Sequence, residues 1–370
     1  MNLHKVPGHG ITPGRLLLLL LAAVACNFPQ TVLEAPQSTT VSVPTSPPSA
    51  TAPSAVKPVP TPLPPDLVWY APNMGSRDFA ELFTKPEEWA TARARINVFQ
   101  FFSQNVLDAP CEICGDNTLR TFVDARAFET LNTWGIPIAI EAGAVKEWGC
   151  SGSDEFNVTR EAIENVRRDG GEVTFLAMDE PYIGGELVAN GVSCRHTMEQ
   201  TADATAKYMS LVKASYPNII VGDVEPYPYF SAAQLEDWTR ALEERDSAPA
   251  FFHIDVNPLE GGRLHDEAGI AADLQRLKAF YEEQGIAFGV IYTANMNFGM
   301  QSDEGYYDLT MDWLRQVQRA IGRPQHVIFE SWLGPAPGGR HEVPINLPDN
   351  DLSIYSHTRL ILDGLEALGP

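Results

Sequence analysis

The sequence predicts one closed barrel of eight parallel strands, each followed by a helix, over residues 66–370. Eight short apolar runs alternate there with eight amphipathic stretches. A strand followed by a helix, repeated eight times, is the pattern of the (β/α)8 barrel. Capping residues and glycines also stand where the helices should begin and end. The expected fold class is therefore α/β, with a single domain.

The apolar runs have the length of buried strands, and the stretches between them repeat apolar residues at helical spacing. The predicted strands are Leu67 to Tyr70, Ile96 to Phe102, Ile136 to Ile140, Val173 to Met178, Ile219 to Val224, Phe251 to Val256, Phe288 to Tyr292 and His326 to Phe329. The predicted helices lie near 78–93, 119–133, 158–168, 196–215, 231–245, 266–284, 304–321 and 352–367.

Helix boundaries are indicated by local residue chemistry. Ser231 and Gln234 match a capping box, and Asn157 and Asp303 are predicted N-caps. A doubly wound open sheet is the alternative architecture. It is disfavoured because no Gly-rich phosphate turn follows the first strand and eight units exceed its usual number. Three glycines are predicted to end helices in the left-handed conformation: Gly135, Gly285 and Gly322.

The amino terminus is predicted to be a cleaved export signal, residues 1–26. A basic segment precedes an apolar run from Leu16 to Val24, which is too short to span a bilayer and ends in small residues before Cys26. The pattern resembles a bacterial lipoprotein signal. This resemblance implies that Cys26 is lipidated and anchors the chain outside the cytoplasm. An ordinary secretory signal cleaved near Ala25 is the alternative.

Residues 27–65 are rich in Pro, Thr, Ser, Ala and Val and are nearly free of charge. Such a segment cannot bury a core, so it is predicted to be an extended, disordered tether. The expected organisation is thus a signal over 1–26, a tether over 27–65 and a catalytic barrel over 66–370.

The chain carries 48 acidic and 26 basic side chains, a formal net charge of −22. This balance repels nucleic acid and anionic lipid headgroups, so neither is expected as a partner. The lipid on the chain is then the only membrane contact that the sequence predicts, and nothing in the sequence indicates an oligomeric state.

Four cysteines follow the tether, and an even number in an exported protein predicts two disulfides. Cys150 and Cys194 each follow one of two neighbouring predicted strands, so they are expected to pair. Cys111 and Cys114 then form a tight second pair. A zinc site or a redox Cys-x-x-C is the alternative, but no second Cys-x-x-C is present and no helix clearly opens at Cys111.

Polar residues follow the predicted strands at the end where a barrel of this kind carries its active site. A single acid after a strand is usually a helix cap or a solvated residue. Acids after five strands would converge on one cavity, where like charges raise one another's pKa and create a proton donor beside a carboxylate. The residues at these strand ends are Gln100, Gln104, Glu141, Asp179, Glu180, Asp223, Glu225, His253, Asp255, Tyr292, Asn295, Glu330 and Trp332.

Paired carboxylates with unequal proton affinities cleave glycosidic bonds, because one protonates the leaving oxygen while the other attacks the sugar or activates water. Aromatic rings suit the same task because they stack on the apolar faces of sugars; their alternative role is loop packing. The rings that follow predicted strands are Trp148, Tyr182, Tyr227, Tyr229 and Trp332. We expect a carbohydrate substrate, with no cofactor and no metal.

Asp179, Glu180 and Pro181 follow the apolar end of predicted strand four. This triplet resembles the barrel glycoside hydrolases, in which an acid/base glutamate closes strand four within an Asn-Glu-Pro-like triplet. The resemblance implies Glu180 as acid/base, Asp179 as a contact to a sugar hydroxyl, and Trp332 as the sugar platform after strand eight. Those enzymes carry a nucleophilic glutamate after strand seven, where this chain has no acid and has Asn295 instead.

The carboxylate that would partner Glu180 is either Glu330 or Glu225. Strand eight lies across the barrel from strand four, whereas strand five is its neighbour. Attacker and proton donor must stand on opposite sides of the scissile bond. Glu330 is therefore the predicted nucleophile or base, and Glu225 a neighbour that raises the pKa of Glu180 or contacts substrate. Retaining and inverting chemistry both stay open.

The function that these patterns favour is an extracytoplasmic glycoside hydrolase acting on a polysaccharide or oligosaccharide. A glycan-binding barrel without catalysis is a second reading, motivated by Asn295 where an acid is expected. A third is a metal-dependent hydrolase using His253, Asp255 and Glu225. The barrel amidohydrolases that this third set resembles need a His-x-His on strand one, and the first predicted strand has none.

Overall fold

A computed structural model describes residues 66–146, 149–186, 188–189, 192–256, 266–294, 302–332 and 345–369. Eight parallel strands form its centre. In chain order they are Leu67–Ala71 (β1), Val98–Phe102 (β2), Ile138–Ala142 (β3), Val173–Asp179 (β4), Ile220–Tyr227 (β5), Phe251–Val256 (β6), Ala287–Tyr292 (β7) and His326–Glu330 (β8). Each of them overlaps one of the eight predicted strands.

The eight strands close into a barrel in which every strand pairs with its neighbours in the chain, and β8 pairs with β1. The closing pair runs in register from Leu67 opposite His326 to Ala71 opposite Glu330. On its other side, β1 contacts β2 at only two positions, Trp69 opposite Val98 and Tyr70 opposite Phe99. The predicted (β/α)8 barrel is confirmed.

The connections between the strands are helical, as the amphipathic stretches predict. The α-helices are Glu81–Thr84, Ala90–Arg93, Ser103–Val106, Leu119–Asp124, Ala127–Trp134, Gly152–Arg168, Pro181–Glu186, Met198–Ser215, Ala232–Glu243, Glu267–Gln284, Asp303–Ile321 and His357–Leu368, and Pro86–Trp89 is a 3-10 turn. The first two predicted helices are thus broken into shorter pieces. An antiparallel pair, Val188–Ala189 with Val192–Ser193, was not predicted.

The predicted helix boundaries are correct where the capping chemistry is complete. Ser231 and Gln234 form the expected capping box. The prediction for Asn157 is wrong because that helix begins five residues earlier, with Ser151 accepting from the Asp154 amide. The prediction for Asp303 is wrong by one residue, because Ser302 caps helix Asp303–Ile321 and Asp303 is its first residue. Gly135 and Gly285 are left-handed caps, whereas Gly322 has a positive φ with an extended ψ.

The core has two layers because each barrel strand buries both of its faces. Trp69, Phe175 and Phe251 pack together inside the barrel, with Ala139 and Ile328 among their neighbours. A larger apolar layer fills the space between the strands and the surrounding helices. Strand residues of alternate parity therefore face either the barrel interior or the helices.

Both predicted disulfides are present. Cys150 is bonded to Cys194, which joins the segment after β3 to the segment that precedes helix Met198–Ser215. Cys111 is bonded to Cys114 within the loop before helix Leu119–Asp124. In the described part of the chain, none of the helices combines the length and the apolar character needed to cross a bilayer.

Candidate active site

The acids at the carboxyl ends of four of the strands project into the same end of the barrel. Ala139, Ala177 and Ile328 pack in the barrel interior. The residues two positions further along β3, β4 and β8 share that interior face, and they are Glu141, Asp179 and Glu330. Phe251 on β6 and Val98 on β2 also pack in the interior. Asp255 and Gln100 have the same parity on these two strands, so they belong to the interior face as well. The side chains gathered there, hereafter the mouth, are Gln100, Glu141, Asp179, Asp255 and Glu330.

Gln100 links two buried carboxyl groups across the mouth. Its Nε2 donates to Glu141 Oε2 at 2.6 Å and to Glu330 Oε2 at 3.2 Å. All three side chains are buried. Burial raises the pKa of Glu141 well above its ordinary value, and the charge of Glu330 is the second cause. Burial also raises the pKa of Glu330 well above its ordinary value, and the charge of Asp255 is the second cause.

The acids after β4 have a different environment, because Lys146 lies between them. Its Nζ is 2.9 Å from Asp179 Oδ1 and 2.7 Å from Glu180 Oε2. These three side chains are each about one-fifth exposed, with values of 19% to 21%. Both distances are those of close ion pairs. The mouth and the adjoining Glu180 therefore combine lysine-paired acids with buried carboxyl groups whose pKa is raised.

Lys146 was missed in the sequence because periodicity says nothing about the loop after β3. The signal that could have found it is its position, five residues after Glu141 and before the cysteine pair. Buried Glu155 fixes this loop, since its Oε1 accepts from the Lys146 amide at 3.1 Å and the Gly149 amide at 3.0 Å.

The backbone at Glu180 is unusual and is held by the next strand. Its φ of 49° lies in the left-handed region, which is uncommon for a residue with a side chain. Its amide donates to Val224 O on β5 at 3.0 Å and to Met178 O at 3.1 Å. Strained residues of this kind persist only where surrounding contacts hold them.

Glu225 and Asp223 share one face of β5, as alternation requires, but that face points towards the helices. Val224, between them, packs inside the barrel. Asp223 Oδ2 accepts from Trp238 Nε1 at 2.8 Å, and Glu225 Oε1 accepts from the Tyr182 amide at 2.6 Å. Glu225 is fully buried. The expectation that it contacts substrate is therefore wrong.

Three predicted substrate tyrosines also lie outside the mouth. Tyr182 is buried and stacks on Phe230 with ring centroids 3.8 Å apart. Tyr227 donates to Asp273 at 2.7 Å in the helical layer. Tyr292 packs there as well, because its neighbour Ile291 occupies the interior face. Tyr227 and Tyr292 were assigned to the wrong face because alternation does not say which face is the interior, and Tyr182 lies in helix Pro181–Glu186 and not on a strand.

His253 lies inside the barrel but below the mouth, so its assignment as a substrate contact is wrong. Its Nε2 is 2.9 Å from His326 Nδ1, and its ring meets Trp69 edge-on. Both histidines are buried and their pKa values are lowered, chiefly by burial. Glu225 faces the opposite layer, so the proposed metal set of His253, Asp255 and Glu225 does not converge. Within the described ranges, no three His, Cys, Asp or Glu side chains are arranged to hold a metal.

Trp332, the predicted sugar platform, follows β8 by two residues. It packs beside Phe102, Met74 and Cys114. Its Nε1 is buried without a hydrogen-bond partner among the described residues. Three further predicted residues, Cys26, Trp148 and Asn295, lie outside the described residues.

Comparison with known proteins relates this chain to others by fold. No family model matches the sequence, and no curated protein matches it. An endo-β-1,4-mannanase double mutant from Cellulomonas fimi aligns with a TM-score of 0.51 and 12% identity, over 80% of this chain and 70% of the mannanase. A chitinase domain from Pyrococcus furiosus aligns with a TM-score of 0.48 and 15% identity, over 84% and 98% of the two chains. At such identities the likeness shows the barrel fold alone.

Proposed function

We propose that this barrel hydrolyses glycosidic bonds of a polysaccharide or oligosaccharide outside the cytoplasm. The observation that carries the proposal is the presence at one end of the barrel of two lysine-bound acids beside buried carboxyl groups whose pKa is raised. Two carboxyl groups of opposite protonation state are what glycosidic cleavage requires. The mannanase that shares the fold supports the proposal, since it is an endo-β-1,4-mannanase.

The environments of the two carboxyls favour roles opposite to those predicted from the sequence, where Glu180 is the acid/base and Glu330 the nucleophile or base. Glu330 is buried and its pKa is raised by that burial, so it is the proposed proton donor to the leaving oxygen. Glu180, paired with Lys146, is the proposed carboxylate that attacks the anomeric carbon or takes a proton from the attacking water. As the C–O bond breaks, the Glu330 proton ends on the leaving group. Asp179 and Trp332 are the proposed contacts to the sugar.

Leaving-group dependence tests this assignment. Glu330→Gln should lose activity on oligosaccharides but retain much of it on 4-nitrophenyl glycosides, because a nitrophenolate departs without a proton. Glu180→Gln should lose activity on both classes by ~10²-fold or more. Glu283→Gln, an exposed acid on helix Glu267–Gln284, is the control. If Glu180→Gln instead spares the nitrophenyl substrates, the two roles are reversed. If the wild type cleaves neither class, the hydrolase proposal fails.

Glycan binding without catalysis is the second candidate, and the Lys146 contacts favour it. A lysine that binds both Asp179 and Glu180 competes with the attacking role proposed for the Glu180 carboxylate. Isothermal titration with chito- and manno-oligosaccharides separates the two functions. Saturable binding with no product after prolonged incubation supports the binding role, and product formation that depends on Glu180 excludes it.

The proposed location is the outer side of a membrane, with residues 1–26 as signal, Cys26 as the lipid site, residues 27–65 as tether and the rest as catalytic barrel. The two disulfides support an oxidising compartment. Expression in a bacterial host with labelled palmitate tests the anchor. Label should appear in the wild type and disappear in Cys26→Ala, which should also leave the membrane fraction.

A further inference from the structure

Glu225 has a position that a substrate contact or a simple core residue does not explain. It is a fully buried acid on the outward face of β5, next to a second buried acid, Asp223. Of its two oxygens, Oε1 accepts a 2.6 Å hydrogen bond from the amide of Tyr182. A buried carboxyl is costly unless its contacts offset the desolvation, so the contact to Tyr182 is the one to interpret.

That contact lies two residues after the proposed catalytic carboxylate. The strand β5 holds this turn at two consecutive residues: Val224 O accepts from the Glu180 amide, and the Glu225 side chain accepts from the Tyr182 amide. Between these points the chain passes through the left-handed conformation of Glu180. The Tyr182 ring is fixed separately, by stacking on Phe230.

We propose that Glu225 is a positioning residue, which fixes the turn from Glu180 to Tyr182 so that the Glu180 carboxylate stays on Lys146 and aimed into the mouth. The proposal rests on the catalytic role proposed for Glu180. It assigns Glu225 no contact with substrate. The acceptor oxygen performs this role, and the negative charge is not needed for it.

Two variants of similar size separate the acceptor from the volume. Glu225→Gln keeps a carbonyl oxygen for the Tyr182 amide, and Glu225→Met fills the space without an acceptor. On the 4-nitrophenyl glycoside that the wild type cleaves fastest, Glu225→Met should lower kcat by about 100-fold with KM within about 2-fold, because a displacement near 1 Å has that effect. Glu225→Gln should stay within about 3-fold of the wild type, and so should the neighbouring control Asp223→Asn.

Crystal structures of the same variants give a readout that does not depend on activity. The contact between Lys146 Nζ and Glu180 Oε2 should persist near 2.7 Å in Glu225→Gln and be lost in Glu225→Met. If Glu225→Met does not fold, hydrogen exchange of the Tyr182 amide in the wild type still decides, since a buried bond to Glu225 should protect it strongly. An intact Lys146 contact in Glu225→Met, or an unprotected Tyr182 amide, overturns the proposal. Absence of any glycosidase activity with these structural results intact overturns only the proposed function.

Discussion

At the scale of single residues, the placement of one cation divides the mouth into two kinds of acid. Lys146 reaches Asp179 and Glu180, whereas Glu141 and Glu330 are linked through the Gln100 amide. A neutral amide donor satisfies carboxyl oxygens without supplying a full charge, so burial dominates the proton affinity of that pair. The lysine therefore separates Asp179 and Glu180 from the two buried carboxyl groups, whose pKa is raised chiefly by burial.

Replacing the lysine tests this division. Lys146→Met should lower kcat/KM on glycosides by ~10-fold or more, because Asp179 and Glu180 then face each other without a shared cation. Lys146→Arg keeps the charge and should lose less. The measurement is steady-state kinetics from pH 5 to 9, with Glu283→Gln as control. Equal activity in Lys146→Met and the wild type would show that the ion pairs do not serve catalysis.

The buried acid Asp223 predicts how stability changes with pH. Burial raises its pKa to about 8. The folded state therefore holds a proton that the unfolded chain releases above its ordinary pKa of 3.8, and the stability that this proton contributes is lost as pH rises through about 8. The buried histidines, whose pKa values the fold lowers, are the same in the wild type and in Asp223→Asn, so their contribution cancels when the two proteins are compared.

Over that interval the wild type should lose about 2 kcal/mol more unfolding free energy than Asp223→Asn, at about 1.4 kcal/mol per pH unit. The amide oxygen can still accept from Trp238, so the hydrogen bond is retained. Urea unfolding at each pH measures the difference. Parallel pH profiles for the two proteins would mean that Asp223 is already ionised in the fold.

At the scale of elements, the number and order of the strands could be predicted from the sequence, but not the side to which each residue points. Glu225 and Tyr292 were expected at the mouth and face the helices instead. Alternation groups residues by face, and both faces of a parallel barrel strand are buried, so hydrophobicity does not distinguish them. Glu141, Asp179 and Glu330 lie on the interior faces of β3, β4 and β8, but nothing in the sequence distinguishes that face from the outer one.

The two disulfides should contribute unequally, because they close loops of different length. The pair Cys150 and Cys194 spans 44 residues, and the pair Cys111 and Cys114 spans three. Chain entropy then predicts losses of about 4 and about 2 kcal/mol when each pair is replaced by alanine. Urea unfolding of the two double variants measures this. A larger loss for the short loop would show that packing around buried Cys114 outweighs chain entropy.

At the scale of the whole molecule, the barrel closes only through its first strand. Trp69 fills the interior, and β1 joins β8 to β2. A chain of residues 66–370 should therefore unfold cooperatively at the midpoint of the full chain. A shorter chain of residues 73–370 lacks β1 and should not fold. Circular dichroism melting distinguishes these outcomes, and a cooperative transition in the shorter chain would contradict the role of β1.

The direction of the strands has a consequence for the way in which the molecule would meet its substrate. All eight strands run the same way, and Asp66 enters β1 at the end of the barrel opposite to Glu330 and Trp332. Whatever precedes Asp66 therefore leaves from the face opposite the acids. An anchor at the amino terminus would thus leave the open end of the barrel uncovered, and a long tether would let that end turn towards its substrate.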